Sequence, residues 1–226
     1  LPLGFNPELS FEQFWPGPHQ EVIAHLRRAA AGADEALIII WGQRGAGKTH
    51  LLNATCAATA QVGRSTAYLP LRIMREHGPA ALEGAEGFAL LCIDDLETIA
   101  GDLAFESALF KLFNHVRDQG GQLLASATRP PPQLAFALPD LASRLSWGLT
   151  LRLLDMEDDD TLEALMLKAH SLGLELPRPV GRFLMQRNRR DLAGLVAQLE
   201  KLDRASLAAQ RKLTVPFVRQ QTGASG

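Results

Sequence analysis

Short apolar runs recur along the chain at 36–41, 65–69, 88–93, 122–127 and 147–153, and helix-length stretches follow the first four. Runs of that length suit strands buried on both faces, while apolar positions spaced by three and four suit amphipathic helices. Parallel strands need crossovers of helix length. The alternation therefore predicts an α/β domain with a five-stranded parallel sheet, wound right-handedly with helices on both faces. A helix over 19–30 precedes the sheet, and no strand pattern follows 154. Instead the acidic run from Asp155 to Asp160 offers N-caps and dipole-favoured charge to a helix over 158–172. Pro177 and Pro179 mark the start of another helix. Leu192, Leu195, Val196, Leu199 and Leu202 then form one apolar stripe on a helix over 190–205, read as the core of a small all-helical lid. The expected organisation is an N-terminal segment (1–18), an α/β domain (19–154), the lid (155–222) and a tail scar (223–226) outside the fold. There is no internal repeat and no low-complexity segment.

The turn after the first run adds chemistry. Trp41-Gly42-Gln43-Arg44-Gly45-Ala46-Gly47-Lys48-Thr49-His50 contains the full phosphate-binding pattern GxxxxGK[ST] between a strand and a helix over 48–60. Glycines at these positions let successive backbone N–H groups converge on a phosphate at a helix N-terminus. Lys48 is expected to reach the β- and γ-phosphates and the Thr49 hydroxyl to hold Mg²⁺. Leu90-Leu91-Cys92-Ile93-Asp94-Asp95 is an apolar strand ending in two acids. Beside a P-loop, Asp94 is expected to bind the metal and Asp95 to orient the attacking water. Thr128, at the end of the fourth strand, suits a hydrogen bond to the γ-phosphate or that water, and equally suits plain turn chemistry. Arg144 and Arg190 are candidates for the positive charge that phosphoryl transfer draws from a neighbour or a lid, although an arginine is by default a solvated surface group.

Composition narrows the setting. The 226 residues are 46% hydrophobic and 21% charged, ordinary for a globular protein. A net charge of −2 gives no global electrostatic case for nucleic-acid binding and leaves only a local basic surface open. No run reaches the roughly eighteen apolar residues of a membrane span, and no basic-then-apolar leader opens the chain, so a cytoplasmic, membrane-free protein is expected. Cys56 and Cys92, without metal-ligand neighbours at useful spacing, read as reduced core thiols.

Three further stretches are more specific. Phe11-Glu12-Gln13-Phe14-Trp15-Pro16-Gly17 opens the chain; Pro130-Pro131-Pro132-Gln133-Leu134 leads to Leu138-Pro139-Asp140-Leu141-Ala142-Ser143-Arg144-Leu145-Ser146-Trp147-Gly148; and Leu202-Asp203-Arg204-Ala205-Ser206 leads to Gln210-Arg211-Lys212-Leu213-Thr214-Val215-Pro216-Phe217-Val218. Together with the P-loop they resemble the DnaA-related family of AAA+ proteins, in particular its short Hda-type members, over nearly the whole chain.

That resemblance implies ADP or ATP with Mg²⁺ at Gly42 to His50, and Arg144 as an arginine finger reaching into a partner's nucleotide site. Arg190 falls at the lid's sensor-2 position and Thr128 at sensor 1, where close relatives have Asp. Asp95 stands where most AAA+ proteins have Glu. Phe11, Trp15 and Pro16 are implied beside the adenine, although the same apolar residues equally suit a plug in the core. Leu1-Pro2-Leu3 matches the end of the peptide by which the family docks on the DNA polymerase III β sliding clamp. The function implied is negative regulation of replication initiation at the nucleoid, by stimulating hydrolysis of ATP on DnaA, with modest turnover at the chain's own site. Self-association is left open, because AAA+ sites lie at subunit edges. The chain is expected to lack the helix-turn-helix with which DnaA reads DNA beyond its lid, hence to have no sequence-specific DNA binding of its own. The alternatives are a self-acting ATPase of the helicase-loader or clamp-loader type and a scaffold that recruits DnaA.

Overall fold

The computed structural model describes residues 4–187, 192–209 and 211–223. These fall into two compact units, one from the described residues of 1–11 and 18–155, the other from those of 12–17 and 156–226.

The first unit is built on the expected five-stranded parallel sheet, in the order β2-β3-β4-β1-β5. β1 (Leu37–Trp41) is a continuous apolar strand whose Ile38, Ile39 and Ile40 are sealed from solvent. It pairs with β4 (Gln122–Ala127) on one side and β5 (Leu149–Arg152) on the other, with Trp41 in register with Ala127 and Arg152. β3 (Leu90–Asp94) lies between β4 and β2 (Thr66–Pro70), so β2 and β5 form the two edges. Parallel strands covered on both faces read as unbroken apolar runs, which is why the sequence pattern locates them.

α1 (Gln20–Ala30) precedes the sheet, and α2 (Lys48–Gln61) follows β1. α4 (Leu103–Asp118) follows β3, and α5 (Pro139–Ser146) follows β4. The crossover after β2 departs from the expected helix. It contains only the single turn α3 (Leu71–Met74) and two 3-10 turns, Arg75–His77 and Pro79–Leu82. Gly78, at φ +82°, is followed by a proline without an N–H, and the pair halts helix propagation. The fifth apolar run also divides differently, because Trp147 is the C-cap of α5 and not part of β5. β1 to β4, α4 and α5 share a core that includes Leu69, Leu91, Ile93, Leu109, Phe113, Leu123, Leu141 and Leu145.

The second unit is the expected helical lid: α6 (Asp158–Ser171), α7 (Arg178–Arg187), α8 (Leu192–Ala209) and α9 (Val215–Gly223). Leu195, Leu199 and Leu202 of the predicted stripe are buried with Leu165, Leu184, Phe217 and Val218, while Leu192 and Val196 pack partly buried against them. Glu157 is the N-cap of α6 but makes no side-chain capping bond, so the acids act there through charge at the N-terminal turn and not as hydrogen-bonding caps. No helix among the described residues is long and apolar enough to cross a membrane.

Candidate functional site

β1 runs directly into the loop 42–47, and α2 begins at Lys48. The Gly42 N–H donates to the Ala127 carbonyl of β4 at 3.2 Å, which carries the sheet's pairing one residue into the loop. A Cβ on Gly42 would stand 2.7 Å from the Leu153 carbonyl oxygen, so only glycine fits. Gly47, the N-cap of α2, has φ +89°, the left-handed conformation that turns the chain into the helix. The Lys48 side chain crosses back over this loop, and its ammonium donates to the carbonyls of Gly42 at 2.7 Å and Gln43 at 2.9 Å. Only 7% of Lys48 is exposed. Burial lowers its pKa, the negative charges of Glu97, Asp94 and Asp95 oppose that shift, and Arg44 adds to it. Gln43, Arg44 and Gly45 lie exposed along the loop, and Ala46 is half-buried.

Asp94, at the end of β3 and 3% exposed, collects three hydroxyl donors. Thr49 donates to its Oδ2 at 2.7 Å, Tyr68 of β2 donates to the same oxygen at 2.7 Å, and Ser126 of β4 donates to Oδ1. Burial pushes the Tyr68 phenol well above its usual pKa, and the charge and hydrogen bond of Asp94 push it further. Asp95 has φ +63°. Its N–H donates to the Ser126 hydroxyl at 3.0 Å, and its carboxylate pairs with Arg72 Nε at 3.0 Å. The Thr128 backbone N–H donates to the Glu97 carboxylate at 3.1 Å.

One cluster thus gathers Lys48, Thr49, Asp94, Asp95 and Thr128 at the C-terminal ends of β1, β3 and β4, where open α/β sheets bind ligands. Tyr68, Arg72, Glu97 and Ser126 join it unannounced by any motif. Ser126 leaves the one visible trace, a hydroxyl in a buried strand that is otherwise apolar from Leu123 to Ala127. Thr49 and Asp94 form a pair of hard oxygens suited to Mg²⁺, which takes one or two protein oxygens and completes its shell with phosphate and water. No group of three or more His, Cys, Asp or Glu among the described residues could hold a metal without such help.

The remaining candidates are dispersed. Arg144, in the last turn of α5, is half-buried and lays its guanidinium on the Trp147 ring, 4.5 Å from the centroid. That indole is 69% exposed. Phe11 is buried in the first unit under the Arg27 guanidinium. Trp15 belongs to the second unit, donating from Nε1 to Asp160 of α6 at 3.0 Å, and Pro16 beside it is half-buried. His50 faces the Ser10 carbonyl at 2.8 Å, and Asn53 ties the N–H of Asn6 to the carbonyl of Thr49. His19 is buried against the Leu154 carbonyl and makes no capping bond to α1. Cys56 and Cys92 are free and buried, as expected of core thiols. Arg190 and Leu1-Pro2-Leu3 lie outside the described residues.

Comparison with known proteins places this geometry. A family model described as the lid domain of Hda matches residues 158–221. A second, described as the bacterial DnaA ATPase domain, matches 79–152. Among solved structures, domain III of the Thermotoga maritima replication initiation protein DnaA has 23% identity and a TM-score of 0.81, with 96% of each chain covered. AMPPCP-bound DnaA from Aquifex aeolicus has 20% identity and a TM-score of 0.68 over 87% of this chain and 66% of that one. The Thermotoga maritima RuvB Holliday junction branch migration motor has 16% identity and a TM-score of 0.68, covering 91% and 67%. These likenesses establish a shared fold, and the chain spans just under two thirds of the length of the Aquifex protein.

Proposed function

We propose, from the matches of residues 158–221 to the Hda lid model and of 79–152 to the DnaA ATPase model, that the chain is a DnaA-related AAA+ protein of the Hda type and that it restrains the initiation of DNA replication by stimulating hydrolysis of DnaA-bound ATP. In this reading it holds ADP or ATP with Mg²⁺ at residues 42–50, with Thr49 and Asp94 supplying metal-side oxygens and Lys48 the phosphate-side cation. The adenine contacts are assigned to Phe11, Trp15 and Pro16, and a phosphate contact to Arg190. Leu1-Pro2-Leu3 tethers the chain to the DNA polymerase III β sliding clamp, and Arg144 is inserted into the ATP site of DnaA.

One observation carries the proposal. Arg144 stacks on a surface indole, and no carboxylate among the described residues pairs with it. Its N–H donors therefore stay available to an outside phosphate. A partner's arginine can raise phosphoryl-transfer rates by about 10³ to 10⁵, because it stabilises charge that the host site leaves exposed. Arg144→Ala is expected to fold and bind nucleotide normally, yet leave DnaA hydrolysis at its unstimulated rate when sliding clamp and DNA are present. Retained stimulation excludes the reading.

A second reading, a self-acting ATPase of loader type, draws support from the Thr49–Asp94 hydrogen bond, which brings together both expected metal-side groups. Rapid ATP turnover by the isolated chain, or turnover driven by DNA without DnaA, favours it. The Arg72–Asp95 pair argues for slow turnover, since it engages the acid that is to orient water.

A further inference from the structure

Glu106, in the first turn of α4, is wholly buried at 0% exposure, and no cation among the described residues pairs with it. Its carboxylate is satisfied by backbone alone. Oε1 accepts from the N–H of Gly101 at 2.6 Å and of Ala137 at 3.0 Å, and Oε2 accepts from the N–H of Leu138 at 2.6 Å. A buried carboxylate is costly unless strong donors surround it, and three N–H bonds, two of them short, provide that compensation. The groups it gathers are informative. Gly101 lies in the turn that starts α4, whereas Ala137 and Leu138 are the last residues before α5. Leu138 is the N-cap of α5 and has no capping side chain of its own. A carboxylate from a different helix stands near that helix's N-terminus, where the dipole favours negative charge.

α5 has just eight residues, and its buried side chains are Leu141 and Leu145. Two leucines fix which face of a short helix is down, but leave its tilt weakly determined. The tie from Glu106 fixes the other end. Arg144 lies six residues beyond Leu138, about 9 Å along the axis at 1.5 Å per residue. A tilt of about 10° would therefore carry the root of its side chain by about 1.5 Å, and misplacement of a catalytic group by about 1 Å can cost on the order of 10²-fold in rate.

We propose that Glu106 is a positioning residue for Arg144: by holding the N–H groups of Ala137 and Leu138 it sets the direction in which α5 presents the guanidinium to a partner. The proposal rests on the function given above for Arg144. In the unaltered chain, hydrogen exchange should find the Ala137 and Leu138 amides strongly protected, although they lie in a connection between elements. Exchange at the rate of an exposed loop overturns the tie. In Glu106→Gln one carboxylate oxygen becomes an NH₂ group, which cannot accept from a backbone N–H. Ala137 bonds one oxygen and Leu138 the other, so that variant deprives one of the two amides of its acceptor and should speed exchange there.

With sliding clamp, DNA and ATP-bound DnaA, the maximal stimulated hydrolysis rate should fall at least tenfold in Glu106→Gln. The half-saturating concentration and the affinity of the chain's own site for ADP should change less than twofold. Added to Arg144→Ala, the substitution should change stimulation no further. A general loss of folding would instead lower nucleotide affinity and raise the half-saturating concentration, and that pattern overturns the positioning role. Should Glu106→Gln not fold, Glu106→Asp, which withdraws the carboxylate by one methylene, is read the same way. An unaltered chain that leaves DnaA hydrolysis unchanged overturns the underlying function. A stimulating chain whose Glu106→Gln variant stimulates equally overturns the role of Glu106 alone.

Discussion

Asp94 shows how much one residue depends on those packed around it. An ionised carboxylate only accepts hydrogen bonds, and Thr49, Tyr68 and Ser126 each give it one from a different element. Tyr68 is the sole tyrosine of the chain, so its ionisation can be followed by phenolate absorbance without ambiguity. In the folded chain that titration should lie well above the ordinary value near 10, and Asp94→Asn should bring it down by removing the neighbouring negative charge. The sign for stability follows. Below about pH 10 both the folded and unfolded chains keep the phenol proton; above it the unfolded chain releases the proton while the folded chain retains it, so stability falls as pH rises. A native titration midpoint near that of free tyrosine would refute the shielding of this hydroxyl. Asp95, one residue on, has the opposite character: its carboxylate is partly exposed and bound to Arg72, and its backbone occupies a conformation uncommon outside glycine.

At the scale of elements, the junction of β1 and α2 depends on Gly42 more than on any side chain in the loop. Gly42→Ala would drive a Cβ into the Leu153 carbonyl, a backbone atom that cannot rotate aside. We expect nucleotide affinity to fall at least tenfold while far-ultraviolet circular dichroism stays unchanged, with a fluorescent ATP analogue as the probe. Unaltered affinity would mean that the loop tolerates the shift. The five strands and the P-loop were legible because each is a contiguous pattern, a buried apolar run or a glycine-spaced turn. The α3 region was not, since Gly78 and Pro79 interrupt a crossover whose length alone suggests a helix. α9 was missed because its nine residues contribute only Val215, Phe217 and Val218 to an apolar face. Tyr68, Arg72, Glu97 and Ser126 were invisible for a different reason. Each meets its partner in the cluster 23 to 32 residues away in sequence, through the pairing of strands, and no local spacing encodes that.

For the whole molecule, two separately packed interiors set the stability. Leu199, fully buried in the helical one, is expected on truncation to Ala to destabilise the lid helices by about 2–5 kcal/mol. Hydrogen exchange across α6 to α9, with the amides of β1 and β4 as internal reference, reads this directly, and a loss below about 1 kcal/mol would show that the site collapses around the deletion. The sheet order has one more consequence. Its two outermost strands are each a poor template for a further strand: β2 ends in Pro70, which has no N–H to offer, and β5 has four residues with Thr150 and Arg152 turned to water. Adhesion by ribbon extension, the usual route from a folded sheet to fibrils, is therefore discouraged at both margins. What the fold leaves for a companion chain to grip is side chains and helices.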